Sequence, residues 1–322
     1  MSHAVSRRIA ELEQYEPPLT ARPDLEAYWE RTVDAFAAKP LNASVSEPVS
    51  LPFPYMEARR VSYEGFDDTP IQGWYLRPRF VEAGSRLPCV VHYHGYTGNK
   101  GYPEDFSQYL LMGISVFSVD VRGQGGDTGN RLPQDYGMTK GWITQGILDR
   151  DTCYYKALTM DALKAVEWAA IQPDVDASRI CVAGGSQGGG IALMAAALSE
   201  LPAAVVGHIP NMCHMDFGIL NSTGSLTEAA DYVARFPDRL EQVLETLSYF
   251  DLLNLAHRVR VPAFVTVGLK DTITMPETIY AAYNRIKSPK QIHPYPFFGH
   301  HVGGDQNRRA LEFIAGIFGM VG

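Results

Sequence analysis

Ser186 sits in Gly184-Gly185-Ser186-Gln187-Gly188, after the apolar run Ile180–Ala183 and before the alanine- and leucine-rich stretch Ile191–Leu198. The run reads as a buried strand and the stretch as a helix. A serine on so tight a strand-to-helix turn needs neighbours without side chains, because strand and helix crowd it. The turn lifts the hydroxyl above the sheet edge. It also aims the first amides of the helix, Gln187 among them, at whatever the serine attacks. A glycine-rich turn that merely lets a helix pack closely would carry the same pentapeptide, but the flanking strand and helix favour a nucleophile.

A serine is a poor nucleophile at neutral pH until a base takes its proton and an acid orients that base. In sheets of this kind the chain order is nucleophile, acid, histidine, each on a loop at the carboxyl end of a strand. Asp271 fits in Val267-Gly268-Leu269-Lys270-Asp271, and His300 fits in Phe297-Phe298-Gly299-His300-His301. His300 is preferred over His301 because it follows the loop glycine directly. Asp216 and Asp251 fall in or beside an irregular stretch and read as solvated or capping carboxylates. His257 and His293 read as surface or structural residues. His208 and His214 flank the sheet edge, where a structural place and a place in the pocket wall are both open.

The second oxyanion donor is expected from His94-Gly95-Tyr96-Thr97-Gly98, as the amide of Tyr96. Arg122, in Arg122-Gly123-Gln124, could bind a substrate carboxylate or hold loops near the elbow through an ion pair; its place directly after a strand favours the second. His92 and His94 share a strand face, but no Cys, Asp or Glu at ligand spacing completes a metal site. The glycines around Ser186 lack the Lys-Ser/Thr pair of a phosphate loop and the later acidic residue of a dinucleotide site. Neither metal nor cofactor is expected.

Strands and helices must alternate to position these residues. Ala58–Tyr63 and Ile71–Leu76 read as antiparallel strands around a turn at Gly65-Phe66-Asp67-Asp68. Leu87–Tyr93, Ile114–Val119, Ile180–Ala183, Ala203–Ile209, Ala263–Val267 and Ile292–Tyr295 read as further strands. Helical spacing runs over Phe106–Met112, Thr152–Ile171, Pro276–Ile286 and Asn307–Phe318. A mostly parallel central sheet with helices on both faces follows. The first forty residues read as helical, with Pro23-Asp24 as a start signal and Leu25, Tyr28, Trp29, Val33 and Phe36 as a stripe packed on the body. Residues 1–45 form an N-terminal helical extension, and residues 211–249 break the alternation as a helical insertion over the active site. The 322 residues are taken as one domain.

The formal net charge of −8, with no basic stripe, argues against a nucleic-acid partner. The first residues lack the apolar core of a signal peptide, and no stretch is long enough to span a membrane. The four cysteines show no paired spacing, so buried free thiols are expected. A cytoplasmic enzyme is the reading.

Together, Arg122-Gly123-Gln124, Gly184-Gly185-Ser186-Gln187-Gly188-Gly189-Gly190 and Gly299-His300 resemble the acetyl xylan esterase and cephalosporin-C deacetylase family, carbohydrate esterase family 7. The stretches His94–Tyr96, Gly141–Asp149, Thr246–Asp251, Gly268–Asp271 and Pro23-Asp24 with Tyr28-Trp29 resemble it too, so the likeness covers nearly the whole chain. The resemblance implies an α/β-hydrolase that removes acetyl groups from small esters. Ser186 would be nucleophile, Asp271 acid and His300 base, with the amides of Tyr96 and Gln187 as oxyanion hole. It also implies a ring-shaped homohexamer whose sites face an inner chamber, favouring small substrates. One position departs: the family has Gly-His-Glu where this chain has Gly299-His300-His301. A glutamate there would brace the loop by an ion pair, with Arg122 as a candidate partner, and His301 cannot replace it as an anion. An acetyl-sized acyl pocket is expected from aromatic residues near the mouth, Tyr96 with Trp142 or Phe217.

Overall fold

The computed structural model describes residues 3–82 and 84–320. Met1, Ser2, Val321 and Gly322, the ends of the expected single-domain span, and Ala83 lie outside the described residues. Among the described residues nine strands form one sheet: β1 Ser44–Val45, β2 Met56–Glu64, β3 Pro70–Pro78, β4 Leu87–Tyr93, β5 Ser115–Val119, β6 Val175–Gly185, β7 Ala204–His208, β8 Ala263–Gly268 and β9 Lys290–Tyr295. Their order is β1-β2-β3-β5-β4-β6-β7-β8-β9. The first strands pair antiparallel as far as β5, and everything from β5 to β9 is parallel. This is the mostly parallel sheet of an α/β-hydrolase, with helices on both faces.

Strands β4, β6 and β7 are covered on both sides, which is why they read as continuous apolar runs rather than alternating ones. One face packs against the helices Tyr154–Ala170 and Gln187–Leu198, the other against Ser107–Leu111 and Gly304–Ile317. The helix Gln187–Leu198 is buried along its whole length, as its lack of polar residues beyond Gln187 requires.

The amino-terminal region is two helices, Ala4–Glu13 and Leu25–Ala37, the second beginning at the Pro23-Asp24 start signal. Between them lie Pro17, Pro18 and Pro23, which can neither donate the helical hydrogen bond nor admit a helix turn before them. Leu25, Tyr28 and Trp29 are buried. The Trp29 indole donates to the Tyr249 carbonyl at 2.7 Å and meets Phe250 edge-on, so this stripe is packing surface. Residues 120–153 carry neither helix nor strand, yet the polar loop at their start is interior: Asp120, Arg122 and Gln124 are all buried. Between β7 and β8 run the helices Met215–Asn221, Thr227–Arg235, Leu240–Ser248 and Leu252–Leu255. Among the described residues no helix is long and apolar enough to cross a membrane.

Candidate active site

Register places the loops. Tyr93 of β4 pairs with Gly184 of β6, and Gly185 pairs with His208 of β7, so the turns after these strands meet at one edge. Ser186 adopts φ 56° and ψ −121°, a sparsely populated conformation for a side-chain-bearing residue. Three backbone bonds hold it there. Its N–H donates to the His208 carbonyl at 2.9 Å, and its carbonyl accepts from Gly190 at 3.0 Å and Asn211 at 2.9 Å. A Cβ on Gly188 would lie 2.0 Å from the Tyr93 carbonyl oxygen, and one on Gly184 would lie 2.4 Å from the Gly188 carbonyl carbon. These close approaches are the reason the turn carries glycine on both sides of the serine.

His300 Nε2 lies 3.0 Å from Ser186 Oγ, and His300 Nδ1 lies 2.8 Å from Asp271 Oδ2. Asp271 is buried. Its carboxylate accepts from the amides of Ile273 at 2.8 Å and Thr274 at 3.0 Å and from the Thr274 hydroxyl at 2.9 Å. With the carboxylate fixed, the geometry calls for a proton on Nδ1 and leaves Nε2 free to accept from the serine. The residues singled out along the chain at 186, 271 and 300 are thus brought into one hydrogen-bonded line.

Gln187 is the first residue of its helix, so its amide has no intrahelical acceptor. Opposite it stands the loop at Gly95, whose added Cβ would come 3.7 Å from Ser186 Cβ. The next amide, that of Tyr96, has no acceptor among the described residues. Gln124 links both sides. Its side-chain oxygen accepts from the Thr97 amide at 2.8 Å, and its Nε2 donates to the Gln187 side-chain oxygen at 2.9 Å and the Tyr154 hydroxyl at 3.0 Å.

The family model for acetyl xylan esterase (AXE1) matches residues 4–316. The chain belongs to the acetyl xylan esterase family. As a member it is a carboxylic ester hydrolase. It is 37% identical to the solved acetyl xylan esterase from Paenibacillus sp. R4, with a TM-score of 0.92 over 96% of this chain and 99% of that one. It is 28% identical to acetyl xylan esterase 1 from Thermoanaerobacterium sp. JW/SL YS485, with a TM-score of 0.90 over 96% and 98% of the two chains. Among curated proteins it is similar to the acetyl esterase Axe7A of Xylanibacter ruminicola, 24% identical over 92% of this chain and 68% of that protein.

In this esterase Arg122 is fully buried and fully paired. Nε and Nη2 donate to Asp161 at 2.6 and 2.8 Å, while Nη1 and Nη2 donate to Asp67 at 3.0 and 3.1 Å. It ties the β2–β3 turn to the helix Tyr154–Ala170, and its own carbonyl accepts from Tyr154 at 2.6 Å. A bracing partnership between Arg122 and residue 301 is therefore ruled out. His301 is exposed, its ring tilted against Phe298 at 5.6 Å.

Asp251 is buried and accepts three amides, those of His214, Met215 and Leu253. Burial pushes its carboxyl up to about 7. It is a capping residue, and the solvated alternative does not hold. Asp216 lies 3.4 Å from His214 Nε2. His94 is committed on both nitrogens, to the Gly95 carbonyl at 2.7 Å and the Val121 amide at 2.8 Å. Among the described residues no group of three or more His, Cys, Asp or Glu could hold a metal ion.

Sequence reasoning missed Glu228. The Tyr96 hydroxyl donates to this carboxylate, 2.8 Å from each oxygen, and accepts from the Trp142 amide at 3.0 Å. Tyr96 and Trp142 meet edge-on at 5.4 Å, while Phe217 stacks on His214. Glu228 is 132 positions from Tyr96 and belongs to no motif, so no local signal pointed to it.

Proposed function

We propose that the protein is a serine esterase that removes acetyl groups from small acetylated substrates through an acyl-enzyme. The observation that carries this is the line Ser186 Oγ, His300 Nε2, His300 Nδ1, Asp271 Oδ2, with contacts of 3.0 and 2.8 Å. Ser186 attacks the acetyl carbonyl as His300 takes its proton, and Asp271 stabilises the imidazolium. The oxyanion is held by the amides of Tyr96 and Gln187, which Gln124 keeps in place from one side chain. His300 then protonates the departing alcohol. In the second half-reaction it takes a proton from water, which attacks the acetyl carbonyl; the bond to Ser186 Oγ breaks, acetate leaves, and His300 returns the proton to Ser186.

Acetylated xylo-oligosaccharides, in keeping with the names of the related enzymes, and cephalosporin C-like acetates are the proposed substrate classes. A homohexamer of cytoplasmic location remains part of the proposal. The test compares acetyl, butyryl and octanoyl aryl esters with wild type and Ser186→Ala. Fast acetyl turnover that vanishes in the variant supports the reading. Activity that survives without Ser186, or that rises with chain length, defeats it.

A further inference from the structure

On the loop after β8, one buried hydroxyl faces both the acid and the base. Thr274 lies three residues beyond Asp271 and just before Met275, which caps the helix Pro276–Tyr283. Its Oγ1 is 2.9 Å from Asp271 Oδ2 and 3.3 Å from His300 Nδ1. We infer that Thr274 is a positioning residue for the base, fixing the tautomer and the direction of His300 through that hydroxyl; the inference rests on the serine esterase reading above.

The protons admit one arrangement. A hydroxyl has one proton and two lone pairs. Asp271 Oδ1 is taken by the amides of Ile273 and Thr274, at 2.8 and 3.0 Å. Oδ2 accepts the Thr274 hydroxyl and, at 2.8 Å, the Nδ1–H of His300. Each carboxylate oxygen then holds two bonds. The Thr274 oxygen, its proton spent on Asp271, turns a lone pair towards Nδ1, so that N–H is shared between two acceptors. The reverse arrangement, with the hydroxyl donating to a bare Nδ1, would leave Nδ1 and Oδ2 facing each other lone pair to lone pair at 2.8 Å. It would also put the ring proton on Nε2, which could then not accept from Ser186 Oγ, 3.0 Å away. When the imidazolium forms, both acceptors already face its Nδ1–H, and the charge is met without reorganisation.

The loop does not need this hydroxyl for its own shape. The Thr223 amide donates to the Thr272 carbonyl at 2.9 Å, and the Ser222 hydroxyl donates to the Ile273 carbonyl at 2.8 Å. Asp271 binds the amides of Ile273 and Thr274 through the backbone alone. Thr274→Val therefore keeps the side-chain shape and the turn while removing the shared acceptor, and Thr274→Ser puts the hydroxyl back.

The experiment counts active sites with a fluorophosphonate that titrates Ser186, then expresses para-nitrophenyl acetate turnover per titrated site. In Thr274→Val, kcat per site is expected to fall about 10- to 100-fold, the worth of a hydrogen bond to a charged group. Both half-reactions use His300, so they slow together and KM stays close to wild type. The rate constant for fluorophosphonate inactivation, which involves only the first proton transfer, falls by a like factor, and Thr274→Ser recovers both. A hydroxyl with a structural role alone would instead lower the melting temperature and the number of titratable sites, while each remaining site turned over at the wild-type rate. That result, a change confined to KM, or a Thr274→Ser enzyme as slow as Thr274→Val overturns the proposal. Should Thr274→Val fail to fold, Thr274→Ala is read in the same way. Ser186→Ala, run alongside, separates the two readings. Turnover that survives in Ser186→Ala defeats the serine esterase itself, whereas an inactive Ser186→Ala beside a fully active Thr274→Val defeats only the role of Thr274.

Discussion

The sharpest prediction concerns the phenol of Tyr96, whose own backbone amide is assigned to the oxyanion. In Tyr96→Phe the Glu228 carboxylate loses its phenolic donor and the Trp142 amide loses its acceptor. Each buried polar group left unpaired costs about 1–3 kcal/mol, so the variant unfolds at lower temperature. The catalytic effect is separate. Losing one oxyanion donor outright costs about 100- to 1,000-fold in kcat, and a donor displaced without being removed costs about 10- to 100-fold. Because the amide matters most when negative charge develops, the fall belongs in kcat while KM for an acetyl ester stays close to wild type. Glu228→Gln keeps an acceptor for the phenol, so its kcat falls less, by under about tenfold. Steady-state kinetics with para-nitrophenyl acetate, alongside thermal melts, reads both variants. A folded Tyr96→Phe enzyme with wild-type kcat, or one altered only in KM, would refute the argument.

The same pair responds to pH. Burial raises the Glu228 carboxyl above its usual range, and the Tyr96 hydrogen bond and the charge of Lys140 only partly offset it. The unfolded carboxyl ionises first, so what Glu228 contributes to stability is complete below the unfolded value and is lost as pH rises through the folded one. Relative to Glu228→Gln, the wild type should therefore lose melting temperature between mildly acidic and neutral pH; parallel curves would contradict this.

Two predictions concern the interior. Arg122→Met strips the counter-ion from Asp161 and Asp67 and should cost about 3–5 kcal/mol by denaturant unfolding. Arg122→Lys should not restore it, because the ammonium cannot reproduce the forked pairing; a loss below about 1 kcal/mol would show an ion pair no better than a surface one. All four cysteines are buried and free, with burial pushing Cys89 and Cys153 up to about 12. A thiol-disulfide reagent should titrate none of them in the native protein and all four after denaturation, so rapid native labelling would count against the packing described.

Local chemistry was legible in the chain because it is dictated locally. The turn around Ser186 needs glycines where helix and strand nearly touch, and that need shows as a motif. The acid and base follow it at strand ends in an order the parallel sheet enforces, so Asp271 and His300 could be picked from their rivals. Pro23-Asp24 marked the start of the helix Leu25–Ala37 for the same local reason.

What sequence could not settle is the second partner of each long-range contact. Arg122 could be seen to sit after a strand, but its choice of Asp161 and Asp67 over the loop at His301 depends on how a helix and a turn converge. The carboxylate of Glu228 reaches Tyr96 only because the helix Thr227–Arg235 folds back over the loop at Gly95 and Tyr96. Gln124 spans two loops and a helix for the same reason. Pair interactions across a packed interior depend on distances that no spacing along the chain encodes. The residues of the line Ser186, His300 and Asp271 were therefore written in the sequence, while the contacts that hold the loops at Tyr96 and Gln187 were decided by the tertiary structure.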